Sequence, residues 1–504
     1  MRMKLKKLLK NISVQAVKGS KEVFITGICA NSKVVAPGNL FVAKKGRMND
    51  GAHYIHEAIE AGASAILTDI FDPSLRFITQ VIHPQVPVVE PLLAAHYYQF
   101  PSQELFMVGI TGTNGKTTTS FLVKHLLEHL KVPCGLIGTI EYIIGKHRYQ
   151  ATRTTPDVIS NHKLLREMVL QNCKAAVMEV TSHALDQGRA VNIEYDVAIF
   201  TNLTLDHLDY HQSMDNYCQA KQKLFQTLNP EKNKTGNNFP CTAVINIDSP
   251  WHQMMVKGCR AKILTYGLSA AADVQAKNIV LTSFGTDFTI GYAGEEVACH
   301  CPLVGRFNIY NCLAAICVGL VRKEPLKKLV EIIASFPAVP GRMQAVFNEL
   351  GLNIFVDFAH TDDALTNVLE CLQEFKQGRI ITVFGCGGNR DASKRPKMAQ
   401  VAEKFSDYCI VTSDNPRFEN PQTICQEIAR GFNQKNWEVE VDRYEAIKKA
   451  IYMAKPADVI LIAGKGHEAY QIFSYKTIEF DDRKIAAQIC LEKHKDENDK
   501  KINL

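Results

Sequence analysis

Short apolar runs alternate with mixed polar and apolar stretches along almost the whole chain. GNLFVAKKG (38–46), AAVMEV (175–180), DVAIFTN (196–202), RIITVFG (379–385), DYCIVTS (407–413) and DVILIAG (458–464) each contain a β-rich core of strand length, so each predicts a buried strand. AIEAGASAILTD (58–69) reads as helix then strand, MDNYCQAKQKLFQTL (214–228) as a helix, and NCLAAICVGL (311–320) as a buried helix. Strands alternating with helices predict α/β units built on parallel sheets. No internal repeat at a fixed period is present. YYQFPSQELF (97–106) opens a second unit, and NPEKNKTGNNFP (229–240) is a polar loop inside it. SFPAVPGRMQ supplies two prolines and a glycine for a linker near 336–342.

At 504 residues the chain exceeds one ordinary core and predicts two to four domains. Hydrophobic residues are 46% and charged residues 22%, a globular mixture with no apolar run long enough to span a bilayer. The net charge of +6 is small for this length; it suits anionic substrates, and no basic face with interleaved aromatics marks a nucleic-acid binder. Fifteen cysteines occur without a CxxC pair or metal-type spacing, which fits a reduced, cytoplasmic protein whose thiols act as small hydrophobes. The basic start lacks the apolar core of a signal peptide, and the charged run LEKHKDENDKKINL is expected to fray as a tail over 493–504.

MVGITGTNGKTTTSFLVKHLL (107–127) is an apolar run, a glycine loop and then a helical pattern, the context in which a phosphate loop has meaning. Backbone N–H groups around Gly112, Thr113, Asn114, Gly115 and Lys116 would cradle phosphate oxygens at a helix N-terminus. Lys116 would reach the terminal phosphates, and the Thr117 hydroxyl, followed by Thr118, would meet Mg²⁺. The general spelling has a glycine at the position of Ile110; here Gly109 and Gly112 flank it. Glu179, Thr181, Ser182 and His183 end one expected strand, and Asp206 and His207 follow another. Ligands in open α/β sheets bind outside the carboxyl ends of the strands. Hard oxygen donors at Thr117 and Glu179 suit an ATP-bound Mg²⁺, whereas His207 is a softer ligand, and a lone histidine is more often a satisfied core residue.

TSDNPRFENP (412–421) follows another expected strand. Asp-Asn-Pro is ordinary turn chemistry. Asp414 and Arg417, three residues apart and stiffened by Pro416, also suit a ligand carrying both an ammonium and a carboxylate. Arg390 and the pair Gly464 and Glu468 lie past two further expected strands and could converge on the same ligand.

GTNGKTT resembles the ATP-binding loop of the Mur ligases and their folylpolyglutamate synthetase relatives. VMEVTSHALDQGR (177–189), FTNLTLDHLDYH (200–211), YCQAKQKLF (217–225), GRFNIYN (305–311), VDFAHTDDAL (356–365), FGCGGNRDASKRPKMA (384–399), TSDNPR (412–417) and AGKGHEAYQ (463–471) follow the same family's order. The resemblance implies an α/β fold of three domains. A UDP-substrate domain over 1–100 precedes a central P-loop-type ATPase domain with a parallel sheet over 101–337. A Rossmann-like amino-acid domain follows over 338–492. It implies an ATP-dependent amide ligase of the branch that adds the third peptide residue in peptidoglycan precursor synthesis, through an acyl phosphate. DNPR resembles the spelling of enzymes that add meso-diaminopimelate, with L-lysine or a folylpolyglutamate-type reaction as the alternatives. A P-loop switch or motor would need a stronger Walker-B aspartate than the sequence offers.

What the resemblance implies for residues is specific. Lys116, Glu179, His207 and Lys221 would be catalytic, with Thr117, Glu179, His207 and Lys221 as metal ligands, Lys221 as a carbamate formed with CO₂. Lys223 is the neighbouring alternative, but the Ala-Lys-x-x-Leu-Phe register points to Lys221. Asn308 and Asn311 would face adenine, with Arg342, Asp357 and His360 also around the nucleotide. Ser32, Thr154, Thr155, Thr181, Ser182, Gln187, Arg189 and Lys221 would bind the incoming UDP-sugar peptide. Arg390, Asp414, Asn415, Pro416, Arg417, Gly464 and Glu468 would bind meso-diaminopimelate. The chain departs from the family pattern at Asn31, Lys33, Arg153, Thr181, Phe358, Asp362 and Asn389. Mg²⁺ and ATP are the implied cofactor and co-substrate. The partners are small molecules alone, without nucleic acid or membrane insertion, and the protein is expected to be a monomer.

Overall fold

The computed structural model describes residues 2–46, 50–231, 234, 239–282 and 285–502, with side chains through 497. Two compact units emerge, Met1–Val274 with Ala314–Pro325, and Gln275–Leu313 with Leu326–Leu504.

The first unit holds two sheets. The smaller contains β1 (Ala16–Lys18), β2 (Gly27–Cys29), β3 (Asn39–Val42), β4 (Ala65–Thr68) and β5 (Thr79–Ile82), in the order β1-β5-β4-β3-β2. All neighbours are parallel except β1 on β5. Helix α1 (Val86–Tyr97) buries Val86, Val89, Leu93 and Tyr97 in a core that also takes Val158 and Ile159 from further along the chain.

The larger sheet is built from β6 (Phe106–Thr111), β7 (Cys134–Ile137), β8 (Glu141–Ile144), β9 (His147–Gln150), β10 (Ala175–Glu179), β11 (Val197–Phe200), β12 (Thr242–Asn246) and β13 (Lys262–Gly267). Within this unit the order is β9-β8-β7-β10-β6-β11-β12-β13, parallel from β7 to β13 and antiparallel at β8 and β9. Every residue of β6, β10 and β11 is buried, the continuous apolar run of a strand covered on both faces. The polar loop 229–240 falls in part on residues 232, 233 and 235–238, outside the described residues.

In the second unit, an antiparallel hairpin of β14 (Gly285–Tyr292) and β15 (Glu295–Cys301) precedes residues 306–313, the first half of the helix Arg306–Val321. A parallel sheet follows, built from β16 (Asn353–Asp357), β17 (Ile380–Phe384), β18 (Tyr408–Val411), β19 (Trp437–Val439) and β20 (Val459–Ala463) in the order β16-β20-β17-β18-β19. A two-residue strand, Gln344–Ala345, pairs antiparallel with β16. Strand residues alternate between two cores: Ile380, Phe384 and Val411 with Leu365, Met398 and Ile424, and Ile381, Val383 and Ile410 with Ile447, Ala450 and Ile489. Helices therefore cover both faces, the doubly wound arrangement.

The segment 336–342 is irregular, as its prolines predict, yet it is no free linker. Phe336 and Val339 are buried, and Gly341 (φ 64°) passes so close to Gly466 and His467 that a Cβ would sit 2.0 Å from the His467 nitrogen. The charged run expected as a fraying tail continues the helix Asp482–Ile502. There Lys493 Nζ donates to the carbonyls of Ile451 and Ala454 at 3.0 and 3.2 Å.

Candidate active site

The loop after β6 enters α2 (Lys116–His129) through two glycines in the left-handed region, Gly112 (φ 153°) and Gly115 (φ 84°). A Cβ on Gly112 would lie 1.8 Å from Thr201 Oγ1, so the loop's approach to β11 depends on that glycine. The loop is tied to the strand end on the other side as well. Asn202 Oδ1 accepts from Asn114 N (2.9 Å), and Thr201 Oγ1 donates to Asn114 O (2.6 Å). Lys116 folds back and donates to the carbonyls of Gly112 and Thr113 at 2.9 and 2.7 Å.

Glu179, at the end of β10, is fully buried. Its carboxylate accepts from Thr117 Oγ1 (3.0 Å), Thr139 Oγ1 (2.9 Å) and Thr139 N (2.9 Å). The carboxylate and the two hydroxyl oxygens are ligands of the kind a hard divalent cation takes, while the Thr139 N–H orients the carboxylate. Among the described residues no group of three or more His, Cys, Asp or Glu side chains is gathered to hold a metal. Thr155 Oγ1 donates to the Glu179 carbonyl at 2.8 Å and accepts from Thr181 N at 3.1 Å, while Thr154 Oγ1 sits 3.1 Å from Thr139 Oγ1. Arg189 reaches the Thr155 carbonyl (3.2 Å) and pairs with Gln187.

Lys221 lies on α3 (Met214–Gln226), whose buried face repeats at Tyr217, Lys221, Leu224 and Phe225. A lysine on the apolar stripe is 1% exposed. Its Nζ donates to the Gly112 carbonyl (2.8 Å) and lies 4.5 Å from the centre of the Tyr217 ring. Burial first, and then the Lys116 charge, push its pKa well below the ordinary lysine value. Lys223, by contrast, is half-exposed and paired with Asp186 at 3.0 Å. The core register separates the two lysines.

His207 takes a left-handed backbone (φ 54°) and sits 3.3 Å from Asp206. It packs edge-on against His183, which faces Tyr210 and His211. Burial, then the nearby imidazole of His207, lowers the His183 pKa to about 4, and burial also lowers those of His207 and His211. His211 Nε2 and Ser182 Oγ lie 3.0 Å apart. Ser32 is buried in a short 3-10 turn, and Asn31 Oδ1 caps that turn through Lys33 N.

In the second unit, Arg417 also has positive φ (52°), which turns its guanidinium to the Gly388 carbonyl at 2.9 Å while its N–H donates to Ile472 O at 3.0 Å. Asn415 donates to Glu468 (2.7 Å) and accepts from Ile472 N (3.0 Å) and Lys465 Nζ (3.3 Å). Gly464 (φ 112°) would set a Cβ 2.6 Å from Asp414 Oδ2. Asp414, Asn415, Pro416, Arg417, Gly464 and Glu468 thus form one cluster beyond the ends of β18 and β20. Arg390 lies nearby and exposed, its Cγ 3.9 Å from the Cβ position of Gly387, which would itself be 2.9 Å from Arg417. A second cluster surrounds Phe358: the Arg342 guanidinium is 4.8 Å from its ring centre and His467 5.1 Å. Buried Asp357 accepts from the amides of Met343 (2.7 Å) and Ala359 (2.8 Å). His360 Nδ1 lies 2.9 Å from the Phe358 carbonyl. Asn308 donates to Val304 O and accepts from Asn311, both inside the start of the helix Arg306–Val321.

Thr139, Asn202, Tyr217, Lys465 and Arg443, which donates to the Ser413 and Ala463 carbonyls at 3.4 and 3.0 Å, were not singled out by motif reading, although each organises one of these clusters. Tyr217 could have been found four residues before Lys221 on the same helical stripe. Thr139 and Arg443 carry no local signal, because their partners are remote in sequence.

Three family profiles match in chain order: "Mur ligase family, catalytic domain" over 24–99, "Mur ligase middle domain" over 110–319, and "Mur ligase, glutamate ligase domain" over 341–466. The UDP-N-acetylmuramoyl-L-alanyl-D-glutamate--2,6-diaminopimelate ligase of Chlamydia abortus is 45% identical over 96% of this chain and 98% of its own. The protein of the same name from Bacillus cereus is 42% identical over 92% and 94%. A solved structure of an enzyme of that name superposes with a TM-score of 0.71 at 29% identity, covering 98% of this chain and all of the other. The folylpolyglutamate synthase of Mycobacterium tuberculosis shares the fold alone, with a TM-score of 0.61 at 16% identity over 74% of this chain and 91% of its own. With full-length relatives at this identity and three family profiles matched in chain order, the chain belongs to the Mur ligase family.

Proposed function

We propose that this protein is an ATP-dependent ligase that joins meso-diaminopimelate to the D-glutamyl γ-carboxylate of UDP-N-acetylmuramoyl-L-alanyl-D-glutamate, in the cytoplasmic assembly of peptidoglycan precursors. The observation that carries the amino-acid assignment is the cluster of Asp414, Asn415, Arg417 and Glu468. It offers acids for ammonium groups and a guanidinium for a carboxylate. meso-Diaminopimelate has an amino acid group at each end, whereas L-lysine lacks the distal carboxylate. The names of the full-length relatives support the same substrate.

The γ-carboxylate oxygen attacks the terminal phosphorus of ATP, the bond to the bridging oxygen breaks, and ADP leaves. The diaminopimelate amine then attacks the acyl phosphate carbon; the tetrahedral intermediate loses phosphate and a proton, leaving an amide. In this reading Gly112 to Thr118 hold the phosphates. Lys116 swings from the Gly112 and Thr113 carbonyls to the transferred group, where its charge counts most in the transition state. Thr117 and Glu179, with His207 and a carbamylated Lys221, would hold Mg²⁺, which screens the charge on the phosphates. The depressed pKa of Lys221 supplies the neutral amine that attacks CO₂, forming an N–C bond and releasing a proton. That converts a neutral amine beside the phosphate loop into an anion. Ser32, Thr154, Thr155, Thr181, Ser182, Gln187 and Arg189 bind the UDP-sugar peptide, the uridine end in domain 1–100. Asn308, Asn311, Arg342, Asp357 and His360 serve the nucleotide. The enzyme acts as a monomer, with 338–492 as its amino-acid domain.

ADP release measured with UDP-muramoyl dipeptide and each amino acid separately tests this. meso-Diaminopimelate should support turnover and L-lysine should do so poorly. A preference for lysine would refute the substrate.

A further inference from the structure

Two carboxylates, Asp414 and Glu468, face the amino-acid cluster, and the reading above uses a single buried-side cation, Arg417, to answer them. A second cation lies beneath. Lys465 is wholly buried, 3.5 Å from Glu468 Oε2. Its ammonium also donates to Asn415 Oδ1 (3.3 Å) and to the Tyr470 carbonyl. Asn415 Oδ1 takes a further bond from Ile472 N, so the amide oxygen is committed twice and the Nδ2 group is turned onto Glu468. Arg443 and Asp482, both at 0% side-chain exposure and 2.8 Å apart, compensate one another. Arg390 is exposed, where water and salt screen its charge. Asp414, Glu468, Arg417 and Lys465 therefore sum to no net charge. Without Lys465 the same cluster would carry one net negative charge.

We infer that Lys465 is a specificity-determining positioning residue, which fixes the Asn415 amide and balances the carboxylates so that the site favours an amino acid without net charge over a cationic one. The inference rests on the diaminopimelate reading and deepens it. meso-Diaminopimelate, a double zwitterion, adds no charge to a neutral cluster. L-Lysine adds one net positive charge that nothing in a balanced cluster answers. A purely structural lysine, tying Tyr470 to Asn415, would instead affect both amino acids alike.

The test compares kcat/KM for L-lysine and meso-diaminopimelate in the unaltered protein, in Lys465→Gln and in the double variant Lys465→Gln/Glu468→Gln. In Lys465→Gln the lysine-to-diaminopimelate ratio should rise about tenfold or more, the scale expected of one unit charge acting across several ångströms at the effective dielectric of a protein site. The change should lie mainly in KM for the amino acid, with KM for ATP within about twofold. The double variant is neutral again, so its ratio should fall back to within about threefold of the parent's. A parallel loss for both amino acids in Lys465→Gln, leaving the ratio within about twofold, would overturn the inference. If the single variant does not fold, the double variant decides, because a ratio raised about tenfold there contradicts charge balance. An unaltered protein that releases no ADP with diaminopimelate would be a separate result, removing the substrate reading itself.

Discussion

At the residue scale, the proposed reaction turns on two basic side chains, Lys221 and Arg417. Lys221 occupies the buried stripe of α3, where burial opposes its protonation. Lys221→Ala is expected to abolish ligation. Added short carboxylates such as formate should restore part of it, because they supply the anion the carbamate would have been. ADP release with and without formate reads this, and full activity in the alanine variant would exclude the role. Arg417 is held by a strained φ of 52° with its guanidinium against Gly388, a cost retained where surrounding structure fixes the residue. Its loss to alanine should weaken use of meso-diaminopimelate by about ten- to hundredfold, the worth of one charge-assisted hydrogen bond or slightly more. Lysine should not become a good substrate. Equal amino-acid preference before and after the substitution would show that Arg417 is no carboxylate clamp.

At the scale of elements, the strands and helices that position these groups were legible wherever burial is two-sided. β6, β10, β11, β17, β18 and β20 all read as unbroken apolar runs and are strands. β16 and β19, at opposite ends of the order β16-β20-β17-β18-β19, were not picked out from their pattern, since NIFVD is polar at both ends and WEV is three residues with a central glutamate. Contacts made across the sheet order were equally invisible. Nothing local to Thr201 announces that its hydroxyl would lie 1.8 Å from a Cβ on Gly112. That close approach yields a prediction about the loop as an element: Gly112→Ala must push β11 and the phosphate loop apart and strain a φ of 153°. The Kd for ATP, measured by calorimetry, should rise about tenfold or more, roughly 1.4 kcal/mol, with the circular dichroism of the folded protein preserved. Unchanged ATP binding would mean that the loop geometry at Gly112 is not what holds the phosphates.

At the scale of the whole molecule, chemistry is divided among separately built layers, each with its own core. The small sheet with Ser32 closes on Leu5, Leu40, Leu67, Leu93 and their neighbours, while the sheet carrying Lys116 closes on Met107, Met178, Phe200 and Phe225. The helix Val158–Leu170 lends Val158 and Ile159 to the first core and Leu165 and Met168 to the second, whereas Lys116 bonds to the carbonyls of its own loop. Lys116→Ala should therefore remove acyl phosphate formation while UDP-muramoyl dipeptide still binds with a Kd within about threefold of the parent's, less than 1 kcal/mol. The alanine also removes the Lys116 bonds to the Gly112 and Thr113 carbonyls, although Gly112 keeps the bond from Lys221, so a modest change in loop stability is expected on the ATP side. Isothermal calorimetry with the UDP-substrate alone, beside phosphate transfer followed by ADP release, separates the two layers. Loss of UDP-substrate binding in the Lys116 variant would mean that the phosphate loop and the uridine domain act as one cooperative site, and that the division of labour drawn from their cores is wrong.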